Sequence, residues 1–381
     1  MKTIKILFAA FLLINYFGCQ KPYNISDLPL STITIIGDTS YIEINPPISY
    51  NFNNPTAICA GKDQMLYVAD TDNNRIVQIN EAGIATGTRE ILRPMAIAQD
   101  FRLDLLVSGL IYREELGDTI GGIFRLKMFN LSNGYPNHDI SKVRIDTVYR
   151  EDRRPNRRFK GIAILMNNEY LIARDGPDNT SFVDPDSRVL RFGTRTIIDT
   201  IRDEFGNIID RNLRVVDRYL TPIGDLATRA GSGVTDILRP TDITSFPNSN
   251  DFIITQSSVG GTIIYGAIWM IYRKAPDFEG WLPKFTTQNE FLRPNRFVEP
   301  AAVAIDRSRL DIFIVDSALD SVVIFNRNGL LKPESFGNGK LISFGSNPLK
   351  NPKGVAHLTR TLYIADSGNN LIRRFRLSTE R

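Results

Sequence analysis

Along most of its length the chain alternates between short apolar runs and short polar breaks. The runs are four to seven residues long and rich in β-branched and aromatic residues, and Gly, Asn, Asp and Pro bound them. Runs of that length and punctuation predict β-strands. They also recur as a group. Residues 54–80 read NPTAICAGKDQMLYVADTDNNRIVQIN, and residues 351–376 read NPKGVAHLTRTLYIADSGNNLIRRFR. Each has Asn-Pro, an apolar strand, a turn, Leu-Tyr-(Val/Ile)-Ala-Asp, Asn-Asn and an alternating strand. Residues 299–326 repeat the plan with Ile314-Val315-Asp316. Three looser copies lie between, opening at Pro94, Lys160 and Pro240. The six starts are Pro55, Pro94, Lys160, Pro240, Pro300 and Pro352, spaced by 39, 66, 80, 60 and 52 residues. Insertions account for the uneven spacing.

A single unit of this kind cannot bury both of its faces, whereas six arranged radially can. The clearest copies resemble NHL repeats, whose signature is a Pro, a Gly-Val-Ala-like strand, Tyr-Val-Ala-Asp, Asn and a basic-hydrophobic strand. The resemblance implies an all-β fold, a six-bladed β-propeller over residues 31–381. The last copy ends after its third strand with only LSTER remaining, so its sheet needs a strand from elsewhere. Residues 31–37 (STITIIG) have a strand pattern and parallel Lys340–Gly345 (KLISFG), read as the fourth strand of the fifth blade. We therefore expect the N-terminal segment 31–37 to complete blade six, which leaves no open edge at the seam.

The N-terminus carries an address. Lys2 and Lys5 precede a nine-residue apolar run, Ile6 to Ile14, with Gly18-Cys19 beyond it. The run is too short to span a bilayer, which takes about 20 apolar residues, and it reads as a signal peptide over residues 1–18. A small residue directly before Cys resembles the lipobox of bacterial lipoproteins. The Tyr16 and Phe17 that precede it depart from the usual pattern in the manner of Bacteroidota lipoproteins. The resemblance implies lipidation of Cys19, a tether over 19–30 and a place in the cell envelope at the outer membrane. A plain signal peptide, with Cys19 incidental, is the alternative. Cys59, in an apolar strand, reads as a packed core residue.

Composition narrows the chemistry. The formal charge is +4, two of it from Lys2 and Lys5, too weak a field to argue for nucleic acid. Two histidines, His138 and His357, and two cysteines exclude a three-imidazole site and a four-thiolate zinc site. Asp70, Asp316 and Asp366 end second strands, and Asn73, Asn74, Asn369 and Asn370 follow in turns. Such residues make tight turns, and we read them as structural. The first strands open with Thr56, Met95, Gly161, Thr241, Ala301 and Lys353, a set without the acidic cage of the lactonase-type propellers that this fold also resembles. No catalytic motif, metal site or cofactor site is expected. The pair Glu114-Glu115 reads as a solvated loop.

The remaining candidate is a face. Loops between strands two and three, and linkers between blades, emerge on the same side of a propeller. Those near 109–121, 175–187 and 256–266, with 150–160 and 200–238, are long. Between Arg150 and Lys160 lie six basic residues (Arg150, Arg153, Arg154, Arg157, Arg158, Lys160) against two acids. Tyr112, Phe182 and Tyr265 fall in neighbouring loops. Arginine with aromatics is the composition of interface anchors. The expectation is a lipid-anchored binding or scaffold protein that meets an envelope protein through this rim. A solvated basic loop, contact with lipid phosphates, a glycan-binding module and a lactonase or lyase enzyme are the alternatives.

Overall fold

The computed structural model describes residues 39–130, 135–136, 138–181, 183–220, 237–257, 263–284, 290–337 and 348–380. Among them are six four-stranded antiparallel sheets and one small two-stranded sheet, Phe129–Asn130 with Tyr135–Pro136. Blade one comprises Pro55–Ala60, Leu66–Asp70, Arg75–Ile79 and Ala85–Glu90. Blade two comprises Ala96–Gln99, Leu105–Arg113, Asp118–Leu126 and Ile145–Arg150. Blade three comprises Arg158–Ile164, Tyr170–Asp175, Arg188–Arg202 and Ile208–Leu220. Blade four comprises Pro240–Ser245, Phe252–Gln256, Ala267–Ala275 and Phe278–Pro283. Blade five comprises Pro300–Ile305, Ile312–Asp316, Ser321–Phe325 and Phe336–Gly337.

Blade six is built from both ends of the chain. Pro352–Leu358, Thr361–Asp366 and Leu371–Leu377 are joined by Tyr41–Glu43, with Tyr41 opposite Leu377 and Glu43 opposite Phe375. An N-terminal strand thus closes the ring, but it is not the expected one: Tyr41–Glu43 occupies the edge, and residues 31–37 lie outside the described residues. Arg373 fastens the seam with two bonds of 2.7 Å to the Glu43 carboxylate, both side chains buried. The segment Lys340–Gly345 also lies outside the described residues; the fourth strand of blade five is Phe336–Gly337.

The second-strand motif shows why these sequences form blades. In Leu66–Asp70 every residue is buried. Leu66 and Val68 pack toward blade six, with Ala356, Leu358 and Tyr363. Tyr67 and Ala69 point the other way, toward Ile97, Leu105 and Val107 of blade two. The period-two alternation of a strand therefore feeds two different cores. Six apolar clusters result, one at each junction of blades one-two, two-three, three-four, four-five, five-six and six-one. That set is a closed ring.

Candidate functional site

Five of the six first strands open with the same irregularity. The pairing register with the second strand slips by one residue after Pro55, Phe159, Pro240, Pro300 and Pro352. A bulge re-aims the side chain it displaces, and the displaced residues are Thr56, Lys160, Thr241, Ala301 and Lys353. Each is half-buried and, with Met95 of blade two, lines a cavity on the propeller axis. The axial residue of blade three is therefore Lys160, and not Gly161 as the strand pattern suggested. Gly161 sits one position on, packed so closely on blade four that a Cβ there would lie 2.5 Å from the Ile243 nitrogen.

A lysine at this position sets the electrostatics of the mouth. Blades three and six are opposite one another in a ring of six, so Lys160 and Lys353 face each other across the mouth. Asp175, Glu299 and Arg239 join them in the lining. Lys160 is held below the usual lysine range by burial, against the pull of Asp175 and with the repulsion of Arg158 and Lys353 added. Asp175 is held above the usual carboxylate range by burial, which Lys160 only partly offsets. Lys353 donates to Asn54 Oδ1 at 3.2 Å. Deeper along the axis, Asp242 accepts from the backbone of Ile243 at 2.8 Å and of Val303 at 2.9 Å. Burial pushes its carboxyl up to about 7.

The cavity has a volume of about 990 Å³. At the far end from the lysine pair, Arg307 of blade five reaches over to blade one and donates to the carbonyls of Ala60 at 2.7 Å and Gly61 at 3.4 Å. Lys62 stands beside it, donating to the Gln99 carbonyl at 2.7 Å and lying 4.6 Å from the Phe101 ring. His357 packs flat on Phe313 with its Nδ1 3.5 Å from Asp306. This end is crossed by side chains, and the Lys160–Lys353 pair stands at the other. Cys59 faces the same cavity, half-buried, and burial raises its thiol.

The motif aspartates sit at the lysine end, each opposite the start of its first strand. Asp70 accepts from the Asn53 backbone at 2.7 Å, Asn73 at 2.8 Å and Arg75 at 2.7 Å. Asp366 accepts from Lys350 and Asn369, and Asp316 from Val298 and Glu299. Each ties the end of its second strand to the segment entering its own first strand. Asn74 and Asn370 take the left-handed conformation that closes the turn, at φ 54° and 55°. A further feature is legible only in the structure. Hydroxyls near the ends of these strands donate to carbonyls of the next blade: Thr71 to Pro94, Ser108 to Phe159 and Ser367 to Pro55. These bonds stitch adjacent blades around the mouth.

The basic rim does not stand as expected. Arg157 is 2% exposed and bonded to Asp186 at 2.7 Å, Asp184 at 2.8 Å and Glu151 at 3.4 Å. Arg154 pairs with Asp178 and Asp186, and Arg174 with Asp184 and Glu151. Arg158 turns back to the carbonyls of Pro155 and Arg157. The loop after Asp175 supplies Asp178, Asp184 and Asp186, so a count over residues 150–160 misses the acids that neutralise the patch. Lys160 belongs to the axis. Tyr265 packs against the core between blades three and four, and Phe182 lies outside the described residues. Arg150, paired only loosely with Asp152 at 3.3 Å, Arg153 and Tyr112 are exposed on the rim.

Two expected loops are strands. Leu105–Arg113 and Asp118–Leu126 form one hairpin with Glu114-Glu115 at its exposed turn. Arg188–Arg202 and Ile208–Leu220 form a longer one, where a linker was expected. The latter overhangs its sheet beyond Tyr170, at the end of the blade where strands one and two turn. Insertions therefore occupy both ends of the propeller, and 221–236 lie outside the described residues.

Residues 52–79 match the NHL repeat family. No curated protein matches the chain. Among solved structures it is similar to an auxiliary nutrient binding protein from Bacteroides thetaiotaomicron, at TM-score 0.50 and 12% identity over 86% of this chain and 69% of that one. Another auxiliary nutrient binding protein, from Bacteroides ovatus, is similar at TM-score 0.50 and 10% identity, over 89% and 77%. A gluconolactonase from Xanthomonas campestris is similar at TM-score 0.49 and 12% identity, over 90% of each chain. At these identities the likeness is one of fold. The protein is a six-bladed β-propeller, and it carries an NHL repeat in its first blade.

Proposed function

We propose that this protein is a binding propeller of the bacterial cell envelope. A lipid on Cys19 holds it at the outer membrane. The face bearing the lysine pair receives a ligand in the axial cavity, and the exposed rim residues Arg150, Arg153 and Tyr112 meet an envelope protein. The observation that carries this reading is the cavity itself, crossed by Arg307 at one end and lined at the other by polar and charged side chains. Pockets of roughly 300–1,000 Å³ with a few placed polar groups are the usual form of a small-molecule site. Among the described residues no group of three or more His, Cys, Asp or Glu side chains is placed to hold a metal ion, and the mouth carries two ammonium groups. The paired ammonium groups favour a binding role.

The test is extraction in mild detergent followed by native mass spectrometry. Wild type is expected to carry a small ligand and a protein partner. Ala301→Trp, which fills the mouth, is expected to lose the ligand, and Arg150→Glu with Arg153→Glu to lose the partner. Identical complexes from all three proteins would contradict the reading. Cys19→Ala is expected to move the protein from the membrane to the soluble fraction; an unchanged distribution would remove the anchor from the account.

A further inference from the structure

Resting on the reading of the cavity as a binding site, we propose its ligand class: a sugar acid, meaning a small polyhydroxylated carboxylate. The lysine donors at the mouth are left unspent. An ammonium group has three hydrogens to give. Lys353 spends one, on Asn54. Lys160 makes no hydrogen bond or ion pair among the described residues, although it lines the cavity. The two are of like charge and oppose each other across the mouth, so an anionic group between them would relieve their repulsion and fill their free valences.

Asp175 and Glu299 stand in the same lining. An ionised carboxylate only accepts hydrogen bonds, and it repels a second anion. A ligand of high negative charge would be drawn by the lysines and rejected by the acids. One carboxylate carried on a frame of hydroxyl groups satisfies both, with the carboxylate between Lys160 and Lys353 and the hydroxyls donating to Asp175 and Glu299. Met95 and Ala301, on the same rim of the cavity, offer apolar surface to the C–H faces of such a frame. At about 990 Å³ the cavity has room for more than one sugar ring.

The experiment is isothermal titration calorimetry with D-galacturonate, D-galactose and inorganic phosphate as probes. The proteins are wild type, Lys160→Met, Lys353→Met and Ala301→Trp, each checked for a native melting transition. Galacturonate is expected to bind wild type at least tenfold more tightly than galactose. Either lysine substitution should weaken it at least tenfold, and equimolar phosphate should not displace it. Equal binding of galacturonate and galactose, indifference to both lysine substitutions, displacement by phosphate, or no binding of galacturonate would each overturn the assignment. Galactose bound to wild type and lost from Ala301→Trp would overturn the sugar acid while leaving the cavity as a binding site. Galacturonate bound equally by Ala301→Trp would remove both.

Discussion

Asp70 shows how much rests on one motif residue. Its carboxylate is fully buried and holds a backbone N–H, an Asn amide and an Arg guanidinium at once. Asp70→Ala leaves the Asn53 amide without its acceptor and Arg75 with only the Tyr50 and Asn51 carbonyls, and breaking a buried pair costs about 3–5 kcal/mol. We expect a loss near the lower end, because Arg75 is partly exposed, measured by urea unfolding. A loss under about 1 kcal/mol would show the Asp to be a turn residue only. Asp242 gives the opposite case, a carboxyl that the fold disfavours when charged. Its native value of about 7 lies above the ordinary 3.8. The native state binds the proton more tightly than the unfolded state, so the group's contribution is complete below about pH 4 and lost as pH rises through 7. Between pH 5 and 7 wild type should lose roughly 2 kcal/mol from this group. Asp242→Asn should carry a constant offset for its altered bonds and lack that slope. Parallel pH profiles for the two proteins would refute the assignment.

At the scale of elements, the seam and the long hairpin make different demands. Glu43 and Arg373 are both buried, and their bidentate pair holds a strand of only three residues. Glu43→Ala is expected to destabilise the protein by about 3 kcal/mol or more, with amide exchange accelerating first in Leu371–Leu377. Exchange that accelerates evenly over all blades would contradict a local seam. The overhanging hairpin is the reverse. Ile198, Phe205, Ile209 and Leu213 are exposed, and Thr196 pairs directly with Val215. Replacing residues 197–214 by Asn-Gly should leave stability within about 1 kcal/mol, since two-residue turns of this kind suit a hairpin, and should raise solubility. The first three strands of every blade were legible from period and punctuation, whereas Ile208–Leu220, the fourth strand of blade three, falls where a linker was expected. The closing strand was misplaced because STITIIG has the stronger pattern, whereas Tyr41–Glu43 is fixed by pairing and by Glu43 meeting Arg373. The axial lysine of blade three was misassigned for a related reason. A bulge shifts the inward face by one residue, and apolar alternation alone does not report it, although the repeated Pro-x offsets in four other blades contain the signal.

At the scale of the whole molecule, the ring was readable because each second strand is apolar on both faces, which only neighbours on both sides can satisfy. The site was much less readable. Its charges come together from blades three, four, five and six, far apart in sequence, and the acids that neutralise the rim arginines sit in a loop more than 20 residues beyond them. Closure of the ring makes the axial mouth the place where side chains of all six blades meet, so occupancy of that mouth is the claim on which the proposal depends. Lysine acylation footprinting measures it most directly, with protein labelled in intact cells and labelled again after purification and exhaustive dialysis to strip small ligands. Lys160 and Lys353 are expected to be shielded in cells and reactive once purified, while the exposed Lys142 and Lys274 react alike in both. Equal labelling of Lys160 and Lys353 before and after purification would mean an empty mouth and would contradict the account.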